Sequence, residues 1–210
     1  MNLSKITVVP LSFVVVVVAL SGCATSGPKE TAKLVSHVED SRRALQVAEA
    51  QLRTTFETAN ALDQTERGNL QSDFQRLNSE IKLSHEKLED FRKSIAAMDK
   101  ISASYFTART AELDKYETEE FRVRGETQLK ETRGRYDQVL TAMQQVQDKF
   151  NPFIAKLHDL SLYLNYNLSP TGVASIKENV DAINYDATGL YTAIDAAVRQ
   201  ADVFADSMAP

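Results

Sequence analysis

Residues 70–105, LQSDFQRLNSEIKLSHEKLEDFRKSIAAMDKISASY, decide how this chain folds. Their apolar or small positions, Leu70, Phe74, Leu77, Ile81, Ser84, Leu88, Phe91, Ile95, Met98, Ser102 and Tyr105, step by four and three residues without a slip. An α-helix turns once in 3.6 residues, so a repeat averaging 3.5 keeps one narrow stripe facing partner helices and imposes a left-handed supercoil. No period-two strand pattern competes with it.

The same stepping runs outward in both directions. Upstream it takes in Leu34, Val38, Ser41, Leu45, Ala48, Leu52, Thr55 and Ala59, with Phe56 beside the seam. After Tyr105 it slips by a residue, to Phe106, Arg109, Leu113 and Tyr116. A third stretch contains Leu129, Tyr136, Met143, Val146, Phe150, Phe153, Leu157, Leu160 and Leu164, and a fourth Val173, Ile176, Val180, Ile183, Ala187, Leu190, Ile194, Ala197, Ala201 and Phe204. The four stretches are roughly 30, 48, 46 and 36 residues long, and at about 1.5 Å per residue the middle pair reaches roughly 70 Å. With short connections they run up, down, up, down. The predicted fold is all-α: an elongated antiparallel helical bundle or coiled coil of four long helices with a protruding central hairpin.

Breaks have local causes. Within residues 61–69 the run Asp63-Gln64-Thr65-Glu66-Arg67-Gly68-Asn69 interrupts the stripe and carries both a cap candidate and a glycine, which predicts a turn. At 165–170 Ser169 can accept a first-turn N–H, while Pro170 takes the first helical position, where its missing donor costs nothing. The slipped register places a third reversal near residues 116–122. Pro152 lies inside a stripe that continues in phase to Leu164, so it predicts a kink rather than an end. Gly125 and Gly134 stand where a helix favours alanine.

Composition agrees with helix. Seven glycines, five prolines and no tryptophan in 210 residues are too few turn-formers for an all-β domain. The net charge of −5, with no basic block, provides no electrostatic footprint for nucleic acid and no polybasic stripe for anionic lipid.

The N-terminus reads in three parts. Lys5 supplies a positive start, Ile6 to Leu20 is an almost unbroken apolar run, and Leu20-Ser21-Gly22-Cys23 closes it. An apolar run of about 15 residues falls short of the roughly 30 Å hydrocarbon core, so it reads as a secretion signal over residues 1–22. Leu20, Ser21, Gly22 and Cys23 resemble a bacterial lipobox, which implies lipidation of the Cys23 thiol and cleavage before it. Cys23 is the single cysteine; an odd thiol in an oxidising compartment is a liability unless it is consumed, and lipidation consumes it. Ala24 in place of Asp, by resemblance to enterobacterial lipoproteins, implies the outer membrane, facing the periplasm. Residues 23–29 then form a lipidated tether and residues 30–208 the helical bundle.

The segments Arg135-Tyr136 through Met143, Pro152 to Asp159, Tyr163-Leu164-Asn165-Tyr166-Asn167-Leu168 and the closing Ala201 to Phe204 resemble a family of helical lipoproteins of Gram-negative bacteria known only as a domain of unknown function. The resemblance spans about residues 31–208 and rests mainly on the proline within the third helix and the Tyr-Leu-x-x-Asn-Leu turn. It implies no activity, cofactor or catalytic residue.

The residues themselves offer little chemistry. His37, His85 and His158 have no His, Cys or carboxylate partners at metal-ligand spacing, and phosphate-binding, nucleophile-elbow and dinucleotide motifs are missing. Glu119 with Glu120, and Glu39 with Asp40, read as solvated helix faces paired with Arg122, Arg124, Arg42 and Arg43. Tyr163, Tyr166, Phe150 and Phe153 read as core packing beside a turn, with Asn165 and Asn167 as caps. The expectation is therefore no enzyme, no cofactor and no metal. The chain reads as a lipid-anchored periplasmic rod, a structural or interaction component of the envelope that engages an envelope protein or itself. The competing reading is a membrane-active protein whose hairpin tip engages or remodels lipid.

Unequal helix lengths locate that tip. Helix one, starting near Glu30, lies level with about residue 100, and helix four ends level with about residue 130, which leaves a two-helix arm of roughly 20 to 25 Å. Its candidate contact residues are Tyr116, Glu119, Phe121, Arg122 and Arg124. Over residues 109–135 seven basic side chains balance seven acidic ones, which disfavours deep insertion.

Overall fold

The computed structural model describes residues 26–62 and 69–209, so the lipobox and Cys23 lie outside the described residues. Within them stand five helices: α1 (Ser26–Ala61), α2 (Leu70–Leu113), α3 (Glu119–Tyr166), α4 (Pro170–Ser175) and α5 (Lys177–Met208). There is no strand among the described residues. α1 packs on α2 and α5, and α3 on the same two, which closes four antiparallel rods around one core.

The core is the stripe that the periodicity marks. Every stripe position from Leu70 to Tyr105 is buried, together with those of α1 from Leu34 to Ala59 and of the fourth stretch from Val173 to Phe204. In α3 the burial also takes in Thr132 and Val139, which stand at the same four-and-three spacing around Tyr136. Beyond Phe106 the burial stops: Leu113 is half-buried and Tyr116 exposed, so the slipped register marks where the bundle ends.

Pairs between helices set the register. Gln51 Nε2 donates to Glu80 Oε2 at 2.6 Å, and the Thr55 and Ser84 hydroxyls meet at 2.8 Å, which satisfies two polar seam positions with each other. Arg42 reaches Asp202 at 3.3 Å, and Lys156 reaches Asp186 at 2.6 Å. Phe56 and Phe153 meet edge to face across the core with ring centres 5.7 Å apart; Tyr136 does the same with Phe106 at 5.7 Å and Phe204 at 6.0 Å.

Tyr136 carries a titratable group into this core. Burial pushes its hydroxyl up to about 12, tempered by the nearby Ser102, and the hydroxyl oxygen lacks a partner within hydrogen-bond geometry. A phenol whose folded pKa exceeds its unfolded value near 10 contributes stability that is intact below that value and is lost as pH rises toward 12. The loss amounts to about 2 to 3 kcal/mol at 1.36 kcal/mol per unit. Tyr136→Phe should keep its stability near neutral pH and flatten the decline in denaturant midpoint between pH 9.5 and 12; an equally steep decline would show that other groups govern it.

α3 runs unbroken through Pro152, so the helix does not end there, although the proline withholds the N–H that the Asp148 carbonyl would accept. The fourth stretch is interrupted where one continuous helix was expected. The Ser175 hydroxyl donates to the Gly172 carbonyl at 2.7 Å and takes the acceptor that the Ile176 N–H would use; that N–H turns to Val173 O at 3.2 Å, a tighter turn that separates α4 from α5. Upstream, Ser169 caps α4 as expected, its hydroxyl accepting the Gly172 N–H at 3.1 Å with Pro170 at the first position.

A hairpin does overhang, but it is shorter than the lengths alone suggest. A Cβ on Gly27 would stand 3.4 Å from the Arg109 guanidinium, so α1 begins level with Arg109 instead of residue 100. Two causes add: α1 starts at Ser26, four residues early, and the Thr55–Ser84 pairing centres the α1–α2 turn near residue 69. On α3 the base stays near residue 130, since Phe204 lies beside Tyr136 and α5 ends four residues later. The arm is therefore roughly 10 to 15 Å long at 1.5 Å per residue.

Gly134 has open space around it, with nothing within 4 Å of a Cβ placed there. Gly134→Ala should raise stability by about 0.5 to 1 kcal/mol, because alanine restricts the unfolded chain and favours helix. A melting temperature that falls instead would show a contact that the geometry lacks.

Candidate functional site

The arm closes through a short reversal. α2 stops at Leu113, Tyr116 N–H donates back to Leu113 O at 3.2 Å, and extended Thr118 starts α3, its carbonyl accepting from Arg122 N–H at 3.2 Å. Glu119 and Glu120 occupy the first turn, where the positive end of the helix dipole favours them. Gly125 permits the close approach of the two limbs: a Cβ there would lie 2.6 Å from Leu113 Cδ2 and 3.3 Å from Tyr116 Cε2. The glycine that looked misplaced in a helix thus leaves room for the Leu113 and Tyr116 side chains of the opposite limb.

Closure sets two kinds of surface side by side. Tyr116 and Phe121 stack with ring centres 6.5 Å apart and planes 23° apart, and with Val123 they are 46%, 56% and 46% exposed. Val123 was missed at the sequence level because it lies on no stripe. Beside them, Arg122 donates to Glu119 at 2.6 Å and to Glu126 at 2.5 Å, and Arg124 to Glu120 at 2.6 Å. The hydrogen bond to Glu119 is the main cause that holds the Arg122 guanidinium above its ordinary range. All five candidate contact residues therefore share the tip, but its cations are already matched by carboxylates. The arrangement offers contact rather than proton transfer.

Behind the arm a recess of about 350 Å³ is lined by Arg109, Gly125, Thr132, Arg135 and Met208. Arg135 Nε is buried there without a hydrogen-bond partner, and Arg135 Nη2 reaches Thr132 Oγ1 at 3.5 Å. At the opposite end a groove of about 480 Å³ separates α3 from α4 and α5, with Leu160, Ile176 and Ile183 below and Lys156, Tyr163 and Ser175 at its edge. Tyr163 OH and Ser175 Oγ lie 2.9 Å apart. The four aromatics near the Asn-rich turn thus divide: Phe150 and Phe153 are core, Tyr163 edges the groove, and Tyr166 stands in solvent. Asn167 caps the turn, its Nδ2 donating to Tyr163 O at 3.0 Å.

The fold brings His85 and His158 to one shallow hollow between α2 and α3, with Arg92 and Asp159, which sequence spacing could not show. No group of three or more His, Cys, Asp or Glu among the described residues is placed to hold a metal ion. Nor is any described helix long and apolar enough to cross a membrane. Glu39 and Asp40 both face Arg43, at 3.7 and 2.5 Å, as a solvated helix face should, whereas Arg42 turns to α5.

A family described as "Protein of unknown function (DUF2959)" matches residues 22–208, most of the chain. No curated protein matches it, and no solved structure does.

Proposed function

We propose that this chain, which belongs to the DUF2959 family, is a lipid-anchored helical rod of the bacterial envelope, held at the outer membrane through Cys23 and acting in the periplasm as a structural or interaction component. The apolar run, the lipobox-like Leu20 to Cys23 and the single cysteine support the anchor. One observation carries the reading further: α1 begins at Ser26 beside Arg109, at the base of the arm. Three residues lead from Cys23 to Ser26, at most about 11 Å of extended chain. The anchor and the arm therefore share one end, and the bundle leads away from it along some 50 Å of α1 at 1.5 Å per residue.

In this reading the rod contacts an envelope protein or a second copy along its helix faces and needs no cofactor or catalytic group. Lipid remodelling by the tip as the main activity draws on the exposed Tyr116 and Phe121, but the carboxylates beside them oppose deep insertion.

Cys23→Ser tests the anchor, because serine cannot form the thioether. The variant should lose radiolabelled palmitate and accumulate at precursor size in the inner membrane. Label entering variant and wild type alike would refute lipidation.

A further inference from the structure

We infer that the tip of the arm is a second foothold on the bilayer that holds Cys23: the stacked Tyr116 and Phe121 rings seat shallowly among lipid headgroups and set how the rod stands. The inference rests on the lipid-anchor reading.

Distance makes the contact available. The tip lies roughly 10 to 15 Å beyond the level of Gly27 at 1.5 Å per residue. The chain from Gly27 back to Cys23 spans at most about 14 Å. An acylated Cys23 at the membrane surface and the tip can therefore lie in one plane, whereas the groove edged by Tyr163 is at the other end of the bundle.

Chemistry selects lipid as the occupant. Tyrosine and phenylalanine at a membrane interface place rings at headgroup depth with the polar phenol in water. Here the rings are stacked and held by the close approach at Gly125. Arg122 and Arg124 arrive already paired with Glu119, Glu126 and Glu120, so these five charges need not lose their water unmatched. Residues 112–126 carry six carboxylates against three cations, so an anionic surface gives no attraction and a zwitterionic one suffices. A stable protein interface needs about 800 Å² from each side, more than two half-exposed rings supply. A fluid headgroup layer needs no matching shape.

The chain lacks tryptophan, so one introduced indole reports alone. Phe121→Trp and, as the far-end control, Tyr166→Trp are prepared as full-length lipidated protein and reconstituted into phosphatidylcholine vesicles with and without brominated acyl chains. The tip indole should shift to the blue and lose emission to bromine, no more with phosphatidylglycerol than without it, while the far-end indole stays unquenched. Adding Tyr116→Ser to the Phe121→Trp protein should reduce the quenching. Protein that floats with vesicles but keeps a water-exposed, unquenched tip indole overturns the foothold and leaves the anchor standing. A blue shift without bromine quenching assigns the tip to a protein contact and overturns the foothold as well. Protein that neither takes up acyl chains nor floats overturns the anchor, and the foothold with it.

Discussion

Met98→Asp should lower the stability of the bundle by about 3 to 5 kcal/mol, the cost of a buried carboxylate without a counter-charge. For a chain of this length that corresponds to roughly 6 to 20 °C in melting temperature. Met98 is fully buried on the α2 seam, and Ser94, Ile95, Ile101 and Ser102, its neighbours one turn away, provide no cation. Leu88→Asp makes a useful contrast. Leu88 is also on the seam, but it borders the hollow that contains His85, Arg92 and His158, where a carboxylate can find a positive partner or water. Thermal melts at neutral pH should therefore rank Met98→Asp well below Leu88→Asp, and Leu88→Asp below wild type. Equal melting curves for Met98→Asp and wild type would show that the α2 stripe is not buried in solution.

Gly172→Ala should cost at least about 3 kcal/mol, toward the upper end of overpacking penalties, because the obstacle is backbone. A Cβ at this position would stand 1.9 Å from Asn167 O and 3.0 Å from the same carbonyl carbon. Neither atom belongs to a side chain that could swing aside. To fit the methyl group the reversal from α3 to α4 has to open, and the Ser169 cap on the Gly172 N–H is strained with it. Hydrogen exchange should quicken over residues 165–180 more than in α1 or α2, alongside a lower melting temperature. Unchanged protection there would show that the turn adapts without loss. Set beside Gly134→Ala, where open space predicts a gain, the pair separates helix propensity from steric exclusion at two glycines of one chain.

Much of this fold was legible in the residues because a heptad repeat is local information. The spacing of Leu70, Phe74, Leu77 and their successors dictates which face of a helix is apolar, and those positions form the core. The Ser169-Pro170 start of α4 was equally readable, since a cap depends on three or four consecutive residues. By the same logic the five tip candidates were placed together: a reversal in a long hairpin brings near whatever lies within a few residues of it.

Register between helices was not local. Helix lengths alone put the base of the arm at residue 100, but the Thr55–Ser84 and Gly27–Arg109 juxtapositions, each between residues far apart in the chain, moved it to about 109. The split at Ile176 escaped for a related reason, because the stripe stays in phase across it and only the Ser175 hydroxyl's choice of acceptor breaks the helix. Gly125 shows the division most plainly. From sequence it stood where a helix favours alanine; in three dimensions it is where Leu113 and Tyr116 press against the opposite limb. The sequence by itself determined that the chain is helical, which face of each helix is buried and where most turns fall, since these follow from periodicity and capping within a few residues. Tertiary structure decided how far the arm projects and that His85 and His158 line one hollow, because both depend on how helices slide past one another, and that is settled by packing between residues remote in the chain.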